Sequence, residues 1–312
     1  MNSIYVITSI NVDMVAHVRA FPKAGETVLG YNFSRHYGGK GANQAMTIRR
    51  LGLPVIVVGK IGKDMHGNEY KSHFEENQID TRYIFQSPEQ PTGMAMINVD
   101  ENGENTIIVI SGANGELTGV DIEKTKDILS ESKIVISQFE VPVEASFKAF
   151  KMVKESENGG EVITIFNPAP ARPIPGEMWK YIDVIIPNEG ELSQIVDRKL
   201  TTIEEIKQAS CELLVKGVKY VLVTMGENGS MLTSSSDSYI IPPIKVNAVD
   251  TTAAGDSFIG GLAAALSQKE IYDDATILEC AGFAAKVAAV VVQREGAQTS
   301  LPTMQEVMNA SL

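Results

Sequence analysis

Asp256 closes a run of small residues, Asp250-Thr-Thr-Ala-Ala-Gly-Asp256-Ser-Phe-Ile-Gly-Gly261, that leads into an apolar helical pattern. The backbone N–H groups of Ala253, Ala254, Gly255 and Asp256 at such a helix start can hold a phosphoryl group, and the helix dipole adds to the attraction. A carboxylate at the same point can take a proton from an attacking hydroxyl. The plainer reading of a Gly-Asp pair before a helix is an N-cap. A second run, Tyr37-Gly-Gly-Lys-Gly-Ala-Asn-Gln-Ala45, places three glycines ahead of another helix. Gly39 and Gly41 let backbone approach a ligand closely, and Lys40 and Asn43 would turn donors toward hydroxyls. The spacing matches neither the phosphate loop G-x4-G-K-[ST] nor the dinucleotide fingerprint G-x-G-x-x-G. Alone, the run reads as a tight turn.

The elements that must carry these residues alternate. Short β-branched runs at Ile4–Thr8, Val55–Gly59, Ile134–Ser137, Val162–Phe166, Val184–Pro187 and Tyr220–Thr224 show little polar alternation, as strands covered on both faces do. Helical patterns at Ala42–Leu51, His66–Asn77, Gly119–Leu129, Val143–Ser156, Glu204–Lys216, Asp256–Leu266 and Asp273–Val292 separate them. That order predicts an α/β fold, a mainly parallel central sheet flanked by helices. Val15–Tyr37 and Thr92–Ile110 break the pattern, with alternating segments joined at Pro22–Gly25 and Asp100–Gly103. They predict a small antiparallel β-lid, formed by about 15–37 and 92–110 and set into a single unit spanning 1–312. Ser234–Ser238 reads as the polar turn of a surface hairpin.

Composition narrows the partners. With 312 residues, 44% apolar, the chain can bury a core without staples. A net charge of −12 offers no basic field for nucleic acid or an anionic membrane. Cys211 and Cys280 lie in no metal or disulfide pattern. Met1–Val18 lacks the build of a signal peptide, and no apolar run reaches membrane-spanning length, so a cytoplasmic protein is expected. His17, His36, His66 and His73 show no metal spacing and read as surface or packing residues, while Met46, Met94 and Met96 read as core fillers.

Taken together, the motifs resemble the PfkB-type carbohydrate kinases, the ribokinase family. Ser9-Ile-Asn-Val-Asp13, Gly38–Ala45, Gly112-Ala-Asn114, Asn167-Pro-Ala-Pro-Ala171, Pro187-Asn-Glu-Gly-Glu191, Thr224-Met-Gly-Glu-Asn-Gly229, Asp250–Gly261 and Gly296-Ala-Gln298 match in order and spacing over nearly the whole chain. The resemblance implies ATP-dependent phosphorylation of D-ribose at O5, with Asp256 as base and the Ala253–Asp256 turn as anion hole. Asn11, Asp13, Gly39, Lys40, Gly41, Asn43, Glu140 and Asp256 would contact the sugar. An amide and a carboxylate suit vicinal hydroxyls. Gln138-Phe-Glu140 has Phe where the family more often has Leu, a change of packing only.

The resemblance further implies that Asn188 and Glu191 organise Mg²⁺ and its waters, in keeping with an ion that stays hydrated. Without it, the pair reads equally well as a helix cap with an exposed acid. Thr224, Gly226, Glu227, Gly229 and Gly255 would meet the nucleotide phosphates, and Ala285, on the Cys280–Lys286 helix, the adenine. Asp250, Thr252, Val291, Arg294, Gly296 and Ser300 correspond to a K⁺ site made mostly of backbone oxygens. A homodimer through an exposed apolar face of the β-lid, with Val28, Phe33, Met94 and Met96, is also expected. The rival readings are a kinase for 2-deoxyribose or another furanose, a nucleoside kinase, and a non-catalytic sugar-binding regulator on the same scaffold.

Overall fold

The computed structural model describes residues 3–156 and 161–310. Met1, Asn2, 157–160 and 311–312 lie outside the described residues, so the expected single unit over 1–312 is followed only within those bounds. The strands are β1 (Ile4–Ile7), β2 (Asn11–His17), β3 (Asn32–Gly38), β4 (Val55–Gly62), β5 (Asp80–Ser87), β6 (Gly93–Val99), β7 (Asn105–Ile110), β8 (Ile134–Gln138), β9 (Ile163–Asn167), β10 (Val184–Ile185), β11 (Tyr220–Thr224), β12 (Ser230–Thr233) and β13 (Ser238–Ile241). The helices are α1 (Lys40–Arg50), α2 (Met65–Glu76), α3 (Gly119–Glu123), α4 (Lys126–Glu131), α5 (Val143–Lys154), α6 (Glu189–Ile195), α7 (Ile203–Val215), α8 (Ala254–Leu266), α9 (Asp274–Val291) and α10 (Met304–Asn309).

The main sheet runs β13-β12-β11-β10-β9-β8-β1-β4-β5. It is parallel from β11 to β5, and the expected hairpin supplies β12 and β13 antiparallel at one edge. Its central strands, such as β1 and the first half of β4, are apolar runs because both faces are covered. Ile4 and Val6 of β1 face a layer with α1, α2, α8 and α9. Tyr5 and Ile7 of the same strand face the layer of α3, α4, α5, α6 and α7.

A second sheet, β3-β2-β6-β7, is the expected lid. Each of its hairpins is antiparallel, and their inner strands β2 and β6 meet in parallel. The lid starts at Asn11 rather than Val15, so Asn11 and Asp13 belong to a lid strand. Of the expected apolar face, Phe33 and Met96 are exposed and share one lid face by register with Ile108, Met94 lies on that face half-buried, and Val28 stands half-buried outside the lid strands. Met96 is therefore no core filler, whereas Met46 is fully buried.

The single helix expected over Gly119–Leu129 is two short ones, α3 and α4. Thr125 turns its hydroxyl back on the Ile122 carbonyl at 2.6 Å and meets the Tyr5 hydroxyl at 2.6 Å, a side-chain bond that competes with helix continuation. β10 is interrupted at Pro187, which has no N–H to give the ladder, although its carbonyl still accepts from the Thr224 N–H at 3.0 Å.

Candidate active site

Strand order reverses between β1 and β8: β4 and β5 follow β1 on one side, β9 to β11 follow β8 on the other. Ligands in open parallel sheets bind beyond the carboxyl ends of the strands at such a point. The chain leaving β1 supplies Ser9 and Asn11; the chain leaving β8 supplies Glu140. They meet. Glu140 Oε2 accepts from Ser9 Oγ at 2.6 Å, from the Lys40 N–H at 3.0 Å and from Asn11 Nδ2 at 3.4 Å. Asn11 is buried, and its Oδ1 accepts from Asn114 Nδ2 at 2.7 Å. Asn114 also brackets the Ile10 backbone with both ends of its amide.

Glycine is required here for close approach. Gly39 has φ of 96°, and a β-carbon on it would meet the Ser9 carbonyl. A β-carbon on Gly41 would strike Thr8 and the Gln138 side chain. The turn into α1 can therefore lie flat against the end of β1.

Asp256 is the third residue of α8 and is buried, while the N-cap is Ala253, in a left-handed conformation with φ of 61°. Its carboxylate does not cap the helix: Asn43 Nδ2 donates to Oδ2 at 2.9 Å and Gln44 Nε2 to Oδ1 at 3.2 Å. Within the turn, the Ala254 N–H closes onto the Thr251 carbonyl at 3.1 Å. Burial raises the Asp256 pKa against the opposing pull of Lys40, Asn43 and Gln44, and Glu140 adds to the rise.

Four carboxylates surround one ammonium. Burial lowers the pKa of Lys40, but Asp256, Glu140, Glu191 and Asp13 more than restore it, for a net rise. Asp13 is pushed up to about 7 by burial first, then by Glu140 and Asp256, with Lys40 opposing. Glu191 is raised by its burial, offset in part by the Asn188 N–H and Lys40.

Asn188 and Glu191 come together as N-cap and third residue of α6. Glu191 N–H donates to Asn188 Oδ1 at 2.7 Å and Asn188 N–H to Glu191 Oε2 at 2.9 Å, a capping box. A parallel bridge sets Asn188 beside Thr224. Gly226 and Gly229 follow with φ of 54° and 87°. A cleft of about 230 Å³ is lined by Lys40, Asn188, Glu191, Thr224, Gly255 and Asp256, among others. Its donors, one ammonium, an amide, a hydroxyl and a helix N-terminus, fit a chain of phosphates. Glu227, Gly226, Gly229 and Ala285 are not in that lining. Ala285 stands half-buried on α9, packed toward the core. A larger cavity, about 410 Å³, sits at the opposite, amino ends of β9, β10 and β11, where Asp183 pairs with both Lys154 and Lys219. It lies at the other end of the strands from Asp256, Lys40 and Glu191, which line the smaller cleft.

The candidate cation residues form two loops tied by Asp250. Its Oδ1 accepts from the Thr252 N–H and its Oδ2 from the Gly296 N–H, each at 2.8 Å. Burial alone would raise the Asp250 pKa; these bonds outweigh it and hold the carboxyl low. The Val291 carbonyl accepts from the Arg294 N–H, and Arg294 pairs with Glu306. Ser300 is buried, its hydroxyl on the Ala297 carbonyl. The carbonyl and carboxylate oxygens of this region are hard donors, the class that holds alkali and alkaline-earth cations. Among the described residues, no three His, Cys, Asp or Glu side chains gather as a metal site.

Sequence reasoning left out Ser9, Gln44, Asn114, Gln138 and Gln298 as site residues. Gln298 Nε2 donates to Asn43 Oδ1 at 3.2 Å and to the Tyr70 hydroxyl at 2.8 Å, and its Oε1 meets the His73 ring at 2.8 Å. All but Gln138 lie in the matched motifs, and Gln138 immediately precedes Phe139-Glu140, so position beside a candidate residue was the available signal.

The family model described as pfkB family carbohydrate kinase matches residues 1–304. Ribokinase from Staphylococcus aureus is 36% identical over 307 residues, covering 98% of each chain. The structure described as Arabidopsis thaliana ribokinase complexed with ribose and ATP superimposes with a TM-score of 0.88 at 32% identity, covering 98% of this chain and 97% of that one. A deoxyribokinase from Salmonella typhi is 34% identical over 305 residues, covering 97% of this chain and 96% of its own length.

Proposed function

This chain belongs to the pfkB family of carbohydrate kinases, and from that membership we infer that it transfers the γ-phosphoryl group of ATP to O5 of D-ribose, giving D-ribose 5-phosphate and ADP. The observation that carries the reading is the buried carboxylate of Asp256 at the head of α8, one wall of a cleft whose other donors suit phosphates. Asp256 accepts the proton of the sugar O5 hydroxyl as that oxygen attacks the γ-phosphorus in line. The backbone N–H groups of the turn, apart from that of Ala254, receive the charge on the phosphoryl oxygens.

Asn11, Asp13, Asn43 and Glu140 hold the sugar, with Lys40 between sugar and phosphates. Thr224 and the Gly226–Gly229 turn hold the nucleotide phosphates. Asn188 and Glu191 would hold Mg²⁺ and its waters beside the phosphates, and the ion would supply charge neutralisation for the transferring group. K⁺ between the Asp250–Thr252 and Gly296–Ser300 loops would fix the turn that forms the anion hole. The β-lid closes over the sugar, and its exposed Phe33, Met96 and Ile108 face is the contact of a homodimer; a monomer in sedimentation at micromolar concentration would remove that contact. No described helix is long and apolar enough to cross a membrane, and we place the enzyme in the cytoplasm, where ATP is available.

The test is ADP release across a panel of pentoses and nucleosides. Ribose should be the preferred acceptor, and Asp256→Asn should lower turnover by roughly 10²–10⁴ while the fold is kept. Near-normal turnover in that variant would exclude Asp256 as the base. The second reading, a 2-deoxyribose kinase, is favoured by the likeness to the Salmonella enzyme and uses the same machinery.

A further inference from the structure

We propose that Gln44, held in place by Gln138, is a positioning residue that sets the orientation and the basicity of the Asp256 carboxylate. This rests on the reading of Asp256 as the base. Gln44 and Gln138 are both fully buried, so neither reaches sugar or nucleotide. Gln138 Nε2 donates to Gln44 Oε1 at 2.7 Å, and Gln44 Nε2 donates to Asp256 Oδ1 at 3.2 Å. The direction of this chain is dictated from one end. An ionised carboxylate only accepts, so Gln44 must turn its NH₂ to Asp256 and its oxygen to Gln138. Gln138 must then give its own NH₂, which leaves Gln138 Oε1 buried with no hydrogen-bond partner among the described residues. An orphaned acceptor next to a directed pair of amides is what a structure retains when the far end of the chain matters more than the near one.

The backbone is shaped for the contact. Gly260 lies one turn beyond Asp256 on α8, and a β-carbon there would meet the Gln44 carbonyl at 2.8 Å and Thr47 Cβ at 2.6 Å. Without that glycine α1 and α8 could not cross so closely, and the Gln44 amide would not reach the carboxylate. Asn43 supplies the matching donor to the other oxygen. Each carboxylate oxygen thus has one fixed amide, and the proton-accepting lone pairs are left aimed into the cleft. The charged groups that face Asp256 are Lys40 on α1, Asp13 on β2, Glu140 beyond β8 and Glu191 on α6. Three of these four are acids, so the amides of Asn43 and Gln44 act beside Lys40 to favour the ionised base, and do so without adding charge.

The experiment compares the pH profile of kcat for the unaltered enzyme, Gln44→Leu, Gln138→Leu and Asp256→Asn, with thermal melts of each. In Gln44→Leu, kcat should fall about tenfold or more, with KM for sugar and ATP within about threefold. The acid limb of the profile should move to higher pH by about half a unit or more, because a donor to the charged form is gone. Gln138→Leu should shift the limb in the same direction by less. Gln44→Leu added to Asp256→Asn should have no further effect on kcat. An unmoved acid limb in a folded Gln44→Leu protein overturns the proposal; should that variant not fold, an unmoved limb in Gln138→Leu does so. If Asp256→Asn is inactive while both Gln variants keep a normal profile, the base reading stands and this inference falls. If Asp256→Asn is active, the base reading itself falls.

Discussion

The carboxylate of Asp13 fills the space that a β-carbon on Gly38 would occupy, overlapping all three of its heavy atoms. Asn11 faces Gly38 across the β2–β3 pair, and Asp13 lies next along the same lid face. Gly38 is therefore small for the sake of the acid and not for a backbone angle. Gly38→Ala should push the Asp13 carboxylate out of place and raise the sugar KM about tenfold or more, with the ATP KM nearly unchanged. Overpacking of this kind costs about 1–3 kcal/mol of stability. Steady-state kinetics with each substrate varied in turn checks it, and an unchanged sugar KM would detach Asp13 from the sugar.

If the same acid holds the sugar as proposed, sugar binding should depend on pH. Its folded pKa is about 7 against an ordinary 3.8, raised by burial and by Glu140 and Asp256. The folded protein thus binds a proton there more tightly than the unfolded chain. The stability this contributes is full below about pH 4 and is lost as pH rises through about 7. Asp13→Asn, which keeps the neutral shape, should raise the melting temperature at pH 8 by about 2 °C or more and much less at pH 5. Sugar binding runs the other way. Hydroxyls need the carboxylate as acceptor, so the sugar KM should climb by up to about tenfold per pH unit below about 7. A flat KM between pH 5.5 and 8 would refute this.

The body of the fold is legible because doubly covered strands write themselves as apolar runs, as in β1, where every residue is buried. The edge strand β5 is not, because its burial alternates and its residues mix with charge. The lid's true start at Asn11 is not legible, because Ile10 and Val12 are both apolar and buried, so the apolar pattern does not break where the chain leaves one sheet for the other. Asn188-x-x-Glu191 carries a sequence signature, and its capping geometry follows from it. The Gln138–Gln44–Asp256 chain has none. Its residues come from β8, α1 and α8 and meet only because Gly260 lets two helices cross closely.

Asp250 bridges the two loops that correspond to a cation site, one carboxylate oxygen on each backbone donor. Cutting that tie should free the Gly296–Ser300 loop and spoil the oxygens it offers. In the unaltered enzyme K⁺ should raise kcat/KM several-fold over Na⁺ at equal ionic strength. Asp250→Ala should lose most of that response and much of the basal rate. Indifference of the unaltered enzyme to the cation would dismiss the site.

The choice between ribose and 2-deoxyribose turns on Asn11. Its amide is buried, with Oδ1 taking one bond from Asn114 and Nδ2 reaching Glu140. That leaves one N–H and one lone pair uncommitted, and Asn114 and Glu140 fix the direction in which they point. A sugar hydroxyl can satisfy both. A sugar lacking that hydroxyl leaves a buried polar group unpaired, at about 1–3 kcal/mol. Such a site rejects the deoxy analogue far more strongly than an apolar pocket rejects an added hydroxyl. Ribose should therefore exceed 2-deoxyribose in kcat/KM by about tenfold or more. Asn11→Met should narrow that gap chiefly by harming ribose, since Asn114 keeps its bond to the Ile10 carbonyl and Glu140 keeps Ser9 and the Lys40 N–H. Both sugars assayed side by side with both proteins decide it. Equal use of the two sugars by the unaltered enzyme would reject the ribose assignment in favour of the deoxyribose reading and leave the kinase assignment standing.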